Sequence, residues 1–572
     1  MSDIKQLFML KTGQDDQVAT ELSSLCTIYS LTPESLRNKW EAFALNSGCA
    51  LKPSLPYVKH LRNSLKREFE RNIKARRTIK GKVVTKRTNA MDLSEYGITN
   101  DGQDDSVENF MSNMFSNSHV KPNKVLPMTP SASLNDTQLS QVSSQFLTRK
   151  TSHVIDGQYN PHLSLRGQYT EDKPIMFNHL QDPIKPYRLM FEKTKEKADM
   201  MDERIDYIGS LIAQEHQIEA FANPARASQE SIYAYGRICS DASEGRLNDQ
   251  SVLLQLSRDV GMGKRVRLNL AKVNDYTLFP GQIVGVFGTN IRGDVFHVEQ
   301  FLLPPTPKKI ESDISTDRKP VEMIVASGPY TLDDDLSYQP LEDLLNKCNE
   351  DQPNIILLMG PFVSANHPRI ASGKVESFPE EIFHEQIGRR LEQFLENSQH
   401  SHVLLLPHAD DMIQLYSSYP QPPLKRTVEH SRLHLLSNPS QISINGHNIS
   451  ASNIDILFRL AKEEISKSTE HTDRFSKLIR HILQQHTYYP MFPHALGDSI
   501  DASQLVNIQV SWLPDIMILP SQFRYFIKNV DDVVCINPGH LCKSLSAGSY
   551  SRIVLYPTIN VNEQVRVDLL KL

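Results

Sequence analysis

The sequence predicts a multidomain chain: an N-terminal all-α module, a small closed β-barrel, and a C-terminal α/β layered domain. Three patterns predict it. Apolar residues recur at helical spacing near the start, short alternating strands punctuated by Gly and Pro occupy the middle, and near-continuous apolar strands alternate with amphipathic helices to the end. A chain of 572 residues exceeds one ordinary domain. The expected boundaries are 1–75 for a helical interaction module and 76–184 for a basic, then polar, linker. A lead-in helix and barrel follow over 185–310, and the α/β domain over 311–572.

Val18, Leu22, Leu25, Cys26 and Tyr29 share one helical face. In "LTPESLRNKWEAFAL", Thr32 is a good N-cap, Pro33 takes the first helical position, and Leu36, Trp40 and Phe43 form the apolar stripe. A further helix carries Val58, Leu61, Leu65 and Phe69. Such a module docks onto partners and has no chemistry of its own. Lys59 to Arg87 then holds twelve Lys/Arg against Glu68 and Glu70, which reads either as a nuclear-import or nucleic-acid patch or as a solvated helix face. Residues 88–180 are dominated by Ser, Asn, Thr, Gln and Asp. Their apolar residues are too sparse to order the segment, the composition of a tether. Thr129-Pro130 in it is a candidate proline-directed phosphorylation site.

Order is expected again from "KPYRLMFEK" (185–193) through a charged helix to about Ile212. The stretches "SIYAYGRICSD", "SVLLQLS", "KRVRLNLAKV", "YTLFPGQIVGVFGTN" and "DVFHVEQFL" read as the short strands of a closed barrel of the OB type. Such barrels bind single strands by stacking bases on aromatics beside a basic groove. Tyr233, Tyr235, Tyr276, Phe279, Phe287 and Phe296 are available, with Lys264, Arg265 and Arg267 nearby. Most of these aromatics are expected in the barrel core instead.

From residue 321 strand and helix alternate: strands at 321–327, 354–359 and 402–406, helices at "LEDLLNKCN", 379–397, 453–466 and 472–485, and strands "DIMIL", "VVCIN" and "RIVLY". Strands that are apolar on both faces imply a sheet covered on both sides.

The bulk numbers exclude some classes. A net charge of -5 is too small for a nucleic-acid-coating protein, and a mean hydropathy of -0.39 fits a chain with an unpacked portion. The six cysteines form no C-x-x-C pair, so neither a disulfide framework nor a zinc site is expected. No signal architecture opens the sequence. No apolar stretch approaches the roughly 18–20 residues needed to cross a bilayer, so a soluble, intracellular protein without membrane contact is expected.

Two strand ends pose the functional question. "VEMIVASGPYT" runs into Gly328-Pro329-Tyr330 and "PNIILLMGPFVSANHP" into Gly360-Pro361-Phe362, where α/β enzymes place ligands and catalytic groups. With "YTLFPGQ" (276–282), "YPQPPL" (419–424), "ISINGH" (442–447), "HILQQHTYYPMFP" (481–493), "LPSQFRYFIK" (519–528) and "CINPGHL" (535–541), these stretches resemble, in order, the B-subunit family of replicative DNA polymerases, those of polymerase α–primase in particular. The α/β domain of that family is similar to calcineurin-like metallophosphoesterases, whose D-x-H, G-D-x-x-D, G-N-H-[DE] and G-H-x-H motifs hold two metals about 3.5–4 Å apart. Here the first strand ends in Ser327-Gly328-Pro329. The second keeps Gly360, but Pro361 and Ser364 stand where aspartates would be. The third has Ala409 for the ligand histidine and retains only Asp410, and Gly539-His540-Leu541-Cys542 only echoes the fourth motif. A proline offers neither charge nor side-chain lone pair. The expectation is a degenerate site with no catalytic residue, no metal and no cofactor.

What the resemblance implies is a non-catalytic scaffold. It would bind the C-terminal domain of the polymerase α catalytic subunit and, through the complex, the small and large primase subunits. The N-terminal module would recruit further replication factors, DNA contact would be mainly indirect, and the location would be the nucleus. Arg524, Tyr525, Phe526, Asn537 and Pro538 are candidate structural or interface residues. Two alternatives stand beside this reading. One is a divergent metallophosphoesterase using His408, Asp410, His540, His447 and His494; the other is a single-strand DNA-binding protein acting through Arg265 and Arg267 of the barrel.

Overall fold

The computed structural model describes residues 152–164 and 175–572, apart from 243–244, 311–313, 315–317, 426–428, 468–472, 559 and 561–562. Before these it describes only Val18, Leu22, Cys26, Leu36, Arg37, Trp40, Pro53, Val58, Phe146 and Arg149. Residues 1–92 form a compact unit of their own, in which Val18, Leu22, Leu36, Trp40 and Val58 are helical and buried. The rest of the expected helical module, the run Lys59 to Arg87 and Thr129-Pro130 lie outside the described residues. The second unit, 93–572, holds the barrel and the α/β domain.

The barrel closes in the order Ser228–Ser240, Val252–Gln255, Arg265–Asn269, Val295–Leu302 and Ile283–Asn290. Alternation points Ala234, Ile238, Leu254, Val266, Leu268, Val284, Val286, Phe296 and Val298 inward. The lead-in helix Thr194–Glu215 lays Ile205, Ile208 and Ile212, one helical face, against Ile283 and Leu302.

The α/β domain is two face-to-face sheets with helices outside. One sheet runs Val154–Tyr159, Val565–Lys571, Ser549–Leu555, Val321–Ser327, Ile355–Met359, His402–Leu406 and Leu433–Leu435, and its last four strands are parallel. The other runs Phe526–Val530, Val533–Asn537, Ile516–Ile518, His447–Ala451, Ser440–Ile444 and Phe177–His179. Met323, Leu357 and Leu404 meet Ile442, Ile449, Ile516 and Ile536 between the sheets. Ile324, Ile356 and Leu405, one residue out of phase, meet Leu341 and Leu344 of helix Gln339–Asp351 and Leu391 and Phe394 of helix Arg389–Asn397. This double burial is why the strands read as continuous apolar runs.

Two features depart from the sequence reading. The hairpin 440–451 and the strands Leu433–Leu435 and Val565–Lys571 were not anticipated, because each is short or interrupted by polar residues. The expected linker 76–184 is not structureless to its end. Val154–Tyr159 pairs antiparallel with Val565–Lys571, and Phe177–His179 pairs with Ser440–Ile444. "VIDGQY" is largely exposed and owes its order to ladder partners far along the chain, such as Asp568, which accepts from the Gln158 amide at 2.9 Å. Among the described residues no helix is long and apolar enough to cross a membrane.

Candidate functional site

The carboxyl ends of the parallel strands open into a cleft of about 1090 Å³. Its lining includes Gly328, Pro329, Gly360, Pro361, Ser364, His408, Ala409, Asp410, Asn453, Arg524, Tyr525 and His540. The structure thus gathers most of the positions singled out in the sequence.

The Gly-Pro-aromatic turns form its floor. Gly328 N–H donates to Met359 O and Gly360 N–H to Leu406 O, both at 2.8 Å, which extends the ladder by one residue. Both Gly-Pro bonds are cis. A Cβ on Gly328 would lie 2.2 Å from Pro361 O, so the two turns touch backbone to backbone and only glycine fits. The aromatics turn away from the cleft into the helix-side core. Tyr330 and Phe362 stack with centroids 5.5 Å apart and planes 7° apart. The Tyr330 hydroxyl lies 2.9 Å from Met359 O, and that of Tyr338 donates to Phe362 O at 2.9 Å. These strand ends are filled with apolar and self-satisfied groups.

The acid that organises this floor is Asp411, not Asp410. Its carboxylate is buried and accepts from Phe362 N–H at 2.6 Å and Val363 N–H at 3.0 Å. Burial pushes it up to about 7 against the pull of those bonds. Asp410 points outward, 52% exposed, and accepts from the Asn366 amide at 3.2 Å, with His408 Nδ1 at 3.9 Å. Ser364 accepts from Asn366 N–H at 3.2 Å, and Ala409 brings no lone pair.

The histidines do not converge on a metal. His408 Nδ1 accepts from Asp410 N–H at 3.0 Å, and His540 Nδ1–H donates to Gly328 O at 2.7 Å. Burial pulls both rings down, which keeps them neutral. His447 is buried elsewhere, beside the Lys309–Asp515 pair, and His494 packs on Tyr489 and Phe492, where burial lowers it to about 4. Neither lines the cleft. Among the described residues no three His, Cys, Asp or Glu side chains are grouped to hold a metal, so the donor set does not fit the two-metal chemistry of a phosphoesterase.

The group that ties these strand ends together is Asn453, which the sequence reading passed over. Its Nδ2 donates to Gly360 O at 2.9 Å and Pro407 O at 3.1 Å, and its backbone N–H donates to Asn438 Oδ1 at 2.8 Å. Asn438 in turn donates to Gln421 Oε1 at 2.7 Å. A neutral amide network thus bridges the second and third strand ends.

Of the remaining candidates, Asn537, Pro538 and Phe526 close the domain's own core. Asn537 Oδ1 accepts from Ser521 and Gly539 N–H at 3.0 and 2.9 Å, and its amide donates to Phe523 O at 3.2 Å. Pro538 O accepts from Ser549 Oγ at 2.7 Å, and Phe526 stacks on Phe475 at 4.5 Å. Arg524 and Tyr525 face outward and grip Asp156 of the edge strand Val154–Tyr159. Arg524 Nη2 lies at 3.1 Å, the Tyr525 hydroxyl bonds the same carboxylate, and Lys571 Nζ lies at 3.0 Å. The Tyr525 hydrogen bond, then those from Lys571 and Arg524, hold Asp156 down at about 2. Its stabilisation is therefore complete above about pH 4 and lost as pH falls toward 2. Asp156→Asn should cost about 0.5–1 kcal/mol, the site being largely solvent-screened. It should speed amide exchange in 154–159 at pH 7, and unchanged exchange there would show that the ladder alone holds the strand.

The barrel is locked to the α/β domain by motifs that looked idiosyncratic in the sequence. Gln485 accepts from Ile283 N–H at 2.8 Å and donates to Ile283 O at 2.9 Å, while Phe492 N–H donates to Pro280 O at 3.1 Å. Arg237 sits 4.3 Å over the Phe492 ring, and Tyr276–Leu278 pairs with Ile465–Lys467. "YTLFPGQ" and "HILQQHTYYPMFP" are thus two sides of one seam. Phe279 and Phe296 are buried, and Tyr235 donates to Asp206 at 3.0 Å. Tyr233 and Phe287 remain as a surface pair 4.6 Å apart. Phe287 lies opposite Gln300 and Arg267 opposite Val295, so along that strand the exposed aromatics and Arg267 are roughly 17 Å apart. That is not one stacking groove.

Two family models match the chain: the B subunit of DNA polymerase alpha/epsilon over residues 323–528, and the OB domain of the DNA polymerase alpha B subunit over residues 198–304. Its relatives include the DNA polymerase alpha B subunit of Schizosaccharomyces pombe, 29% identical over 95% of this chain and 94% of that one. That of Rattus norvegicus is 33% identical over 64% and 62%, and that of Saccharomyces cerevisiae 32% identical over 64% and 60%. Similar solved structures include an archaeal phosphodiesterase at 12% identity and TM-score 0.21, covering 44% of this chain and 100% of that one. Another is zinc-complexed Vps29 of Entamoeba histolytica at 11% identity and TM-score 0.18, covering 44% and 99%.

Proposed function

The chain belongs to the B-subunit family of DNA polymerases alpha and epsilon, and from that premise we propose that it is a non-catalytic scaffold of the polymerase α–primase complex. The observation that carries the non-catalytic reading is the Asn453 amide bridging Gly360 O and Pro407 O. Where a phosphoesterase needs carboxylates and imidazoles around two cations, this chain has a neutral hydrogen-bonded plug above glycine and proline. The barrel–α/β seam supports the scaffold reading, since a pair of domains joined by buried backbone contacts offers one rigid surface to a partner. That partner is the C-terminal domain of the catalytic subunit, through which the two primase subunits are reached. The helical N-terminus recruits other replication factors, contact with DNA is indirect, and the protein works in the nucleus.

Purification of the tagged full chain from cells through a high-salt wash tests this. The expected result is retention of a large polymerase subunit and both primase subunits, with no metal in this chain. A lone chain with near-stoichiometric zinc or manganese, and nuclease activity lost in His540→Ala, would overturn it.

A further inference from the structure

We propose that Phe146 and Arg149 form a strap on one rim of the cleft that shields Cys542 beneath it. In the sequence these two residues lie in a mainly polar stretch, "SSQFLTRKTS". In the structure both line the cleft, and Phe146, 4% exposed, belongs to the helix-side core with Leu541, Cys542, Leu570 and Leu572. Arg149 is fully engaged. Its Nε donates to Leu572 O at 3.2 Å and its Nη1 to Phe146 O at 2.7 Å. Its Nη2 pairs with Asp343 of helix Gln339–Asp351, and its guanidinium lies 4.0 Å over the Phe146 ring. Leu572 is itself tied down, its N–H donating to Gly548 O at 3.0 Å, so the strap closes on a fixed base.

Four residues after Arg149, His153 N–H donates to Lys571 O at 2.8 Å, and the edge strand Val154–Tyr159 follows. Because one ring and one guanidinium carry the closure, it opens locally without unfolding the sheet behind it.

Cys542 reports on the strap. It is buried, and burial holds its thiol well up, against the nearby Arg149 charge. In the full-length protein, alkylation of each cysteine would be followed by peptide mass spectrometry under native conditions. Phe146→Ala and Arg149→Ala should each raise the labelling rate of Cys542 about tenfold or more, with Cys348 and Cys535 unchanged. The pair Arg149→Asp with Asp343→Arg should recover part of the protection. Equal Cys542 rates in wild type and variants, or a rise shared by Cys348, would refute the strap.

Discussion

Gly281→Ala should lower the stability of the folded chain by about 3 kcal/mol or more and split its thermal unfolding into separate barrel and α/β transitions. Gly281 has φ +99, a region costly for any residue with a Cβ. An added Cβ would also lie 2.1 Å from Phe492 N and 2.8 Å from Pro490 O, backbone atoms that cannot rotate away. Those atoms belong to the stretch whose Phe492 N–H donates to Pro280 O, so the clash falls on the seam itself. Relief requires the two backbones to part, which also strains the Gln485–Ile283 pair. Calorimetry of the full chain would show it. A single transition within about 1 °C of wild type would mean that the seam is soft and that the rigid-platform reading is wrong.

How much of this was legible in the sequence varies with the physics involved. The doubly buried strands were, because their apolar runs are long and bounded by Gly-Pro. The non-ligating character of these strand ends was, because proline at Pro361 and alanine at Ala409 offer no side-chain donor atom. Asp411 was not: in "PHADDM" two adjacent acids leave a strand end without periodicity, and nothing local says which turns inward. Asn453 was hidden for a similar reason. The strand it follows, "HNISA", is buried yet mostly polar, so it carries no apolar run that would mark the element leading to Asn453. The edge strand at 154–159 was the hardest, because its order comes from Val565–Lys571 and from the cations around Asp156. The seam motifs were visible as oddities, and their meaning appeared only when the fold set one against the other.

Asn453→Leu tests the plug itself and should cost about 2–4 kcal/mol. Leucine keeps the branched shape and heavy-atom count, though it is bulkier, and removes the only side-chain donors that Asn453 extends to Gly360 O and Pro407 O; a buried acceptor left without its donor costs about 1–3 kcal/mol. Asn453→Asp separates this from simple packing loss. A carboxylate there would face two carbonyl oxygens, so its folded-state pKa would be raised above the unfolded value. The penalty is then small near pH 4, where the acid is protonated and still donates once, and grows as pH rises through the raised value. The expected pattern in thermal melts is a deficit for Asn453→Leu that does not change with pH, and a deficit for Asn453→Asp that is larger at pH 8 than at pH 5. Equal deficits at both pH values for the aspartate would mean that the amide contributes shape alone. A gain of bound divalent metal by the aspartate variant would mean the opposite: that these strand ends still present a coordination shell, and that one carboxylate is all the site lacks.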